Sequence, residues 1–230
     1  ELRTPLTVVI GYANTLKDGG LGPLNEAQQK ALTAVVDRSE GLMAPLNNIL
    51  RIREGAKPVL LKPIDLRALM ESQLERTAKE MRRRKLALTA KLGTAPVWVL
   101  ADEEKLGDVV DNLLSNATKF SPVSGRLRVE LSTSNALVRL SVTDQGPGVP
   151  PELMPHVFER FFAANQGPTR EYPGLGLGLP LSKEIVEQHR GRIWLESLGA
   201  GSGTTSRLEL PACAPNAEPS VVESAEKFHK

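Results

Sequence analysis

The chain has 230 residues, 40% hydrophobic and 24% charged, with a net charge of +2. That suits one large or two small soluble domains, and it argues against a nucleic-acid partner held by bulk electrostatics. The single cysteine, Cys213, can form no intramolecular disulfide and fits a reducing, cytoplasmic setting, and there is no CxxC pair or His/Cys cluster to suggest structural zinc.

Leu2, Leu6, Val9, Ala13 and Leu16 alternate four- and three-residue spacings, the apolar stripe of a helix. Gly19-Gly20-Leu21-Gly22-Pro23 stops that helix. Asn25 and Gln28 have N-cap and N3 spacing, which starts a second helix expected to reach about Glu54. This helix carries two stripes, Ala31-Val35-Leu42-Ile49-Ile52 and Leu32-Val36-Met43-Leu46-Leu50. A lone hairpin needs one stripe per helix, so the second predicts a dimer whose two hairpins form a four-helix bundle. Pro45 is expected to kink the helix near Gly41.

Gly55-Ala56-Lys57-Pro58 reads as a hinge, and an α/β pattern follows. Strands are expected at Val59–Leu61, Leu86–Leu92 and Val97–Leu100, with a helix from the cap Asp65 to about Arg84. Arg82-Arg83-Arg84-Lys85 reads as a solvated helix end that suits the macrodipole. A helix over Asp102–Thr118 puts Leu106, Val109, Val110, Leu113 and Ala117 on its core side. Strands at Leu127–Ser132 and Val138–Thr143 join through Ser134-Asn135. A helix over Leu179–Gln188 precedes a last hairpin, Arg192–Glu196 with Thr204–Leu210. Residues 212–230 hold few large apolar groups and read as a disordered tail. The pattern is an α-helical hairpin (1–56) followed by an α+β layer sandwich (57–211). No apolar run approaches the ~18 residues of a membrane span, so no membrane contact is expected from this segment.

Three features carry chemistry. Asn112, Asn116 and Lys119 share one helix face, where two amide oxygens suit a hard cation such as Mg²⁺ and the lysine suits a phosphate. Asp144 ends an apolar strand before Gly146 and Gly148, and its carboxylate can accept from an adenine amine. Gly174, Gly176 and Gly178 open a helix whose unpaired N–H groups favour phosphate. The first two alone also have plain readings, as a wet helix face and a common Asp-x-Gly turn. Together, within one span, they point to Mg-ATP. The spacing matches neither the dinucleotide fingerprint nor a P-loop, and the protein-kinase signature set is missing. The stretch between Phe162 and Gly174 reads as a lid over the nucleotide.

Over residues 1–211 the chain resembles the catalytic core of the sensor histidine kinases of two-component signalling. Asn112–Pro122 resembles the family's N box, Asp144–Pro150 its G1 box, Val157–Phe162 its F box and Gly174–Leu179 its G2 box. Glu1-Leu2-Arg3-Thr4-Pro5-Leu6 matches the H box from just after its histidine. The resemblance implies a homodimeric phosphotransfer hairpin and a Bergerat-fold ATP-binding domain. A histidine takes the γ-phosphoryl of ATP and passes it to an aspartate on a response-regulator receiver domain. Asn116, assisted by Asn112, would ligate Mg²⁺; Lys119 would contact phosphate and Asp144 the adenine amine. Gly146, Gly148, Gly174, Gly176, Gly178, Leu179 and Thr204 would complete the nucleotide site. Glu1 would activate the imidazole as a base, and Thr4 would orient water for dephosphorylating the regulator. ATP-hydrolysing relatives of this fold carry a glutamate where Asn112 stands. A neutral amide cannot deprotonate water, so Asn112 favours phosphoryl transfer to a protein group.

The phosphoacceptor would be the residue just before Glu1, which this sequence does not contain. Starting inside a motif and without Met, the chain is expected to be the C-terminal part of a longer protein, with any membrane anchor upstream. His156, His189 and His229 read as ordinary surface or packing residues, and Gly191 as the residue that ends the last helix. The alternatives are a degenerate kinase acting as a dimeric scaffold or phosphatase, and an ATPase or serine-directed kinase on the same fold.

Overall fold

In the computed structural model, which describes residues 3–36, 39, 59–162 and 176–222, the chain divides into two units, Glu1–Gly55 and Ala56–Lys230. In the first unit, helix α1 spans Arg3–Lys17. Gly19 and Gly22 then adopt φ of 80° and 113°, a left-handed backbone that side chains resist, and the chain turns. Helix α2, residues 26–36, is opened by a reciprocal capping box. Asn25 Oδ1 accepts from Gln28 N and Gln28 Oε1 accepts from Asn25 N, each at 2.9 Å. Ala13 and Val36 are buried, whereas Val8, Val9, Tyr12 and Val35 are exposed. The stripe residues from Leu42 onward, Pro45 and the hinge at 55–58 lie outside the described residues.

The second unit is built on a five-stranded sheet ordered β2-β4-β5-β7-β6. Its strands are β2 (Ala87–Lys91), β4 (Arg126–Ser134), β5 (Leu137–Thr143), β6 (Arg192–Glu196) and β7 (Thr205–Pro211). Only β2 and β4 run parallel; the other neighbours are antiparallel. Period-two alternation sends Leu127, Val129, Leu131, Val138, Leu140, Val142, Leu208 and Leu210 into one core. That core is shared with helices α3 (Leu66–Arg83), α4 (Glu103–Phe120) and α5 (Gly178–Gln188). On α4, Leu106, Val109, Val110, Leu113 and Leu114 are fully buried, each contributing about 1.5–3 kcal/mol by leaving water. The other side of α4 carries Asn112, Asn116 and Lys119.

Asp65 and Asp102 start α3 and α4 as caps: Asp65 Oδ1 accepts from Arg67 N at 3.0 Å and Asp102 Oδ1 from Lys105 N at 3.1 Å. The β4–β5 turn falls at Asn135-Ala136, one residue later than the spacing suggests. Both residues take positive φ, 51° and 61°, as the twist of a two-residue hairpin demands.

Two further expectations need correction. Residues 212–222 are not a disordered tail: Cys213 N donates to Trp98 O at 2.9 Å, and β8 (Ser220–Val222) joins the edge of β1 (Val59–Asp65). With β3 (Trp98–Ala101) these form a second, three-stranded sheet, β3-β1-β8. An open strand edge supplies the partner that the tail's composition does not advertise. The last helix also ends differently. Arg190, not Gly191, takes the left-handed position, with φ of 57°. Gly191 is needed for closeness instead, because a Cβ there would overlap Glu209 O on β7.

Candidate active site

Asn112 and Asn116 sit one turn apart on α4, on the side away from the buried leucines. Asn116 Nδ2 lies 3.4 Å from Asn112 Oδ1, and Asn112 Nδ2 donates to Ser182 Oγ on α5 at 2.9 Å. Gly178, the first residue of α5, abuts Asn112 so closely that a Cβ would overlap Asn112 Oδ1. The start of α5 thereby packs directly on the Asn112 amide. Lys119, one turn further along α4, has its ammonium 4.9 Å from the Phe120 ring centre. Partial burial holds its pKa below the usual lysine value.

Asp144 follows β5 and is buried. Its Oδ1 accepts from Gly146 N at 2.7 Å and from Thr204 N at 3.2 Å, which leaves Oδ2 facing any further donor. Thr204 O in turn accepts from Asp144 N at 2.9 Å, so Thr204 holds the aspartate through backbone bonds on both sides. Desolvation raises the Asp144 pKa, and the two N–H donors oppose that rise.

The glycines serve the protein's own packing first. A Cβ on Gly146 would stand 2.9 Å from Phe120 O at the end of α4. Gly148, at φ 72°, would overlap Gly199 O, and Gly176, at φ 65°, would overlap Phe162 O. Gly146 and Gly148 therefore bring the Asp144 loop against α4 and the β6–β7 connection, while Gly176 brings the second glycine-rich turn against Phe161-Phe162. Phe161 N donates to Gly176 O at 3.0 Å, and Phe161 itself takes a φ of 65°. Arg160 pairs with Glu184 of α5 at 2.6 Å, and Lys183 stacks over Phe158. Leu179 packs against the core.

The structure thus gathers Asn112, Asn116, Gly178 and Leu179 at the α4–α5 junction, and Asp144, Gly146, Gly148 and Thr204 at one loop cluster that meets the end of α4. Thr4 lies in the first turn of α1. Glu1, Gly174 and the expected lid lie outside the described residues.

Four contributors escape a reading of the sequence. Ser182 anchors Asn112. Ser197 Oγ accepts from Val149 N at 3.0 Å and donates to Gly203 O at 2.8 Å, stitching the Asp144 loop to the last hairpin. Gly203, at φ 74°, admits Asp144 O where a side chain would overlap it. His189 joins the end of α5 to the start of α4. In the sequence, Gly199, Gly201 and Gly203 mark a turn without naming its partner.

The donor set fits Mg-ATP. Two neutral amides supply few ligands of their own, which suits a cation that brings phosphate and water oxygens with it. A buried carboxylate with one oxygen open suits an exocyclic amine. A groove of about 960 Å³ between α3 and α4, lined by residues including Gln73, Arg76, Glu104, Asp108 and Asp111, contains none of the residues gathered above.

Two family models match the chain. The model described as histidine kinase-, DNA gyrase B- and HSP90-like ATPase covers residues 101–214, and the His Kinase A (phospho-acceptor) domain covers residues 1–54. The circadian input-output histidine kinase CikA of Synechococcus elongatus is 34% identical over 92% of this chain and 28% of its own length, so the chain spans under a third of that relative. The solved structure of the mycobacterial sensor histidine kinase MprB matches with a TM-score of 0.57 at 35% identity, over 66% of this chain and 97% of that one. Full-length ShkA, solved in complex with AMPPNP, matches with a TM-score of 0.72 at 27% identity, over 94% of this chain and 45% of that one.

Proposed function

This chain belongs to the sensor histidine kinase family, and we propose that it is the Mg-ATP-using core of such a kinase, which passes the γ-phosphoryl to a histidine just before Glu1 and then to a response-regulator aspartate. The observation that carries this reading is the Asn112 clamp. An amide, not a carboxylate, faces Gly178 and Ser182 at the start of α5, and an amide positions a cation without generating hydroxide from water. That choice favours transfer to a protein group over hydrolysis.

Within this reading Asn116, with Asn112 beside it, holds Mg²⁺, and Lys119 places a positive charge toward the phosphates. Bound Mg²⁺ neutralises charge on the phosphate oxygens. Asp144 selects the base by accepting from an adenine amine at Oδ2, and Gly176 and Gly178 let the phosphates meet backbone N–H groups. Glu1 takes the far-nitrogen proton of the acceptor imidazole, and Thr4, in the first turn of α1, orients water when the regulator is dephosphorylated. That ShkA was solved with an ATP analogue supports the nucleotide assignment.

The hairpin works as a homodimer: exposed Val8, Val9, Tyr12 and Val35 leave an apolar surface that a second copy covers in a four-helix bundle. None of the described helices is long and apolar enough to cross a membrane, and the proposed work is cytoplasmic. Full-length protein labelled from γ-³²P ATP should pass its label to a purified receiver domain within minutes. Release of inorganic phosphate without a labelled protein would favour an ATPase instead.

A further inference from the structure

We propose that His189 is a positioning residue for the nucleotide site: in its neutral form it ties the end of α5 to the start of α4, and its protonation loosens Mg-ATP binding. This rests on the nucleotide assignment above.

In a capping box, a Glu or Gln at N3 accepts from the N–H of the cap residue. On α4 the N3 residue is Lys105, which cannot accept. His189 Nε2, 87 residues away, takes the Asp102 N–H instead, at 2.9 Å. Its other nitrogen, Nδ1, lies 2.7 Å from Ile185 O, which can only accept. The two bonds together require one tautomer, with hydrogen on Nδ1 and Nε2 bare. His189 is 2% exposed.

α4 and α5 run antiparallel, and two polar ties hold them. Ser182 meets Asn112, and His189 meets Asp102. The anchor points are about 15 Å apart along α4 and about 10 Å apart along α5. Ties so spaced fix both the slide and the tilt of α5. Gly178 touches Asn112 with no room for even a Cβ, so a small slide of α5 disturbs the amide that assists the cation.

Protonation breaks the second tie. An Nε2–H would face the Asp102 N–H, donor against donor, and would place a cation at the positive end of the α4 dipole. The charges facing the ring come from α4: Asp102, which favours the imidazolium, and Lys105, which opposes it. Burial outweighs them and holds the His189 pKa below the usual histidine value. The unfolded chain therefore takes this proton first. The tie contributes fully above the ordinary histidine pKa, and its contribution shrinks as pH falls below that value.

The test is Mg-ATP affinity of this chain between about pH 5 and 8, for wild type, His189→Gln and His189→Leu, with a melting curve at each pH. Gln keeps an acceptor for Asp102 N–H and does not titrate. At neutral pH it should bind within about threefold of wild type, whereas Leu should bind roughly tenfold more weakly while still folded. On acidification wild type should weaken relative to Gln, a comparison that cancels titration of the nucleotide itself. Superimposable pH profiles for wild type and Gln would overturn the proposal, as would Leu binding like wild type. ¹⁵N spectra should find Nε2 unprotonated at neutral pH, and an imidazolium there would overturn it too. Loss of Mg-ATP binding by wild type at every pH would instead sink the nucleotide assignment on which it rests.

Discussion

Asn112 Nδ2 and Ser182 Oγ, 70 residues apart in the chain, share a 2.9 Å hydrogen bond that joins the amide-bearing helix to the helix after the second glycine-rich turn. Asp144 is likewise held from 60 residues away, by Thr204 N at 3.2 Å. The consequences can be measured residue by residue.

Replacing Ser182 by Ala strands the Asn112 amide in a half-buried position. The expected cost is about 1 kcal/mol of stability, with a several-fold loss of Mg-ATP affinity because Asn112 can then rotate. Denaturant titration and nucleotide binding on the same protein check both. An unchanged affinity would mean that Asn112 is held by Gly178 alone.

Gly178→Ala should be harsher. Alanine suits a helix better than glycine, so by propensity alone the change would stabilise α5. The added Cβ would overlap Asn112 Oδ1, so the amide must swing aside from its place. Mg-ATP binding should fall by at least about tenfold while the α4–β5 core stays folded. Nucleotide titration alongside far-UV circular dichroism would show it.

Asp144→Asn separates function from stability. Burial raises the Asp144 pKa, so below the unfolded value this group costs the fold nothing. Stability is lost as pH rises from the unfolded pKa through the raised folded one. Asn keeps an Oδ1 acceptor for Gly146 N and Thr204 N without the buried charge. The variant should therefore melt at or above the wild-type temperature at neutral pH, with the gap closing in acid. It should also lose roughly 1.5–3 kcal/mol of adenine-nucleotide affinity, the worth of a charged hydrogen bond.

Removing residues 215–230 tests the strand that the tail contributes. β8 covers Val59 and Leu61 at the edge of β1, and both are almost fully buried. Truncation should lower the melting temperature and speed amide exchange at residues 59–61. Mg-ATP affinity should stay within about twofold, since none of the described tail residues lies among those gathered around Asn112 and Asp144.

Much of this was legible because the informative residues are local in sequence. The Asn112–Asn116 spacing, the Asn25–Gln28 capping box and the alternating strands around Leu140 and Leu208 each act over a few residues, and a pattern reading finds them. The missed features depend on contacts between distant segments. Ser182 and His189 matter only because α5 packs on α4, and Ser197 and Gly203 only because the last hairpin returns to the Asp144 loop. The tail's Ser220-Val221-Val222 is too short to announce a strand, and β1 offered the edge that made it one. Arg190 took the left-handed helix end against its own preference because Gly191 was needed where β7 passes.

In the proposed mechanism the γ-phosphoryl leaves ATP for a histidine immediately before Glu1. The most direct measurement extends the chain upstream by its native helix and incubates it with γ-³²P ATP and Mg²⁺. Label that is lost in acid, survives alkali and disappears when the residue before Glu1 is replaced by Gln is the predicted result. Mg-ATP binding without any such label would contradict it and leave a dimeric scaffold or phosphatase in its place.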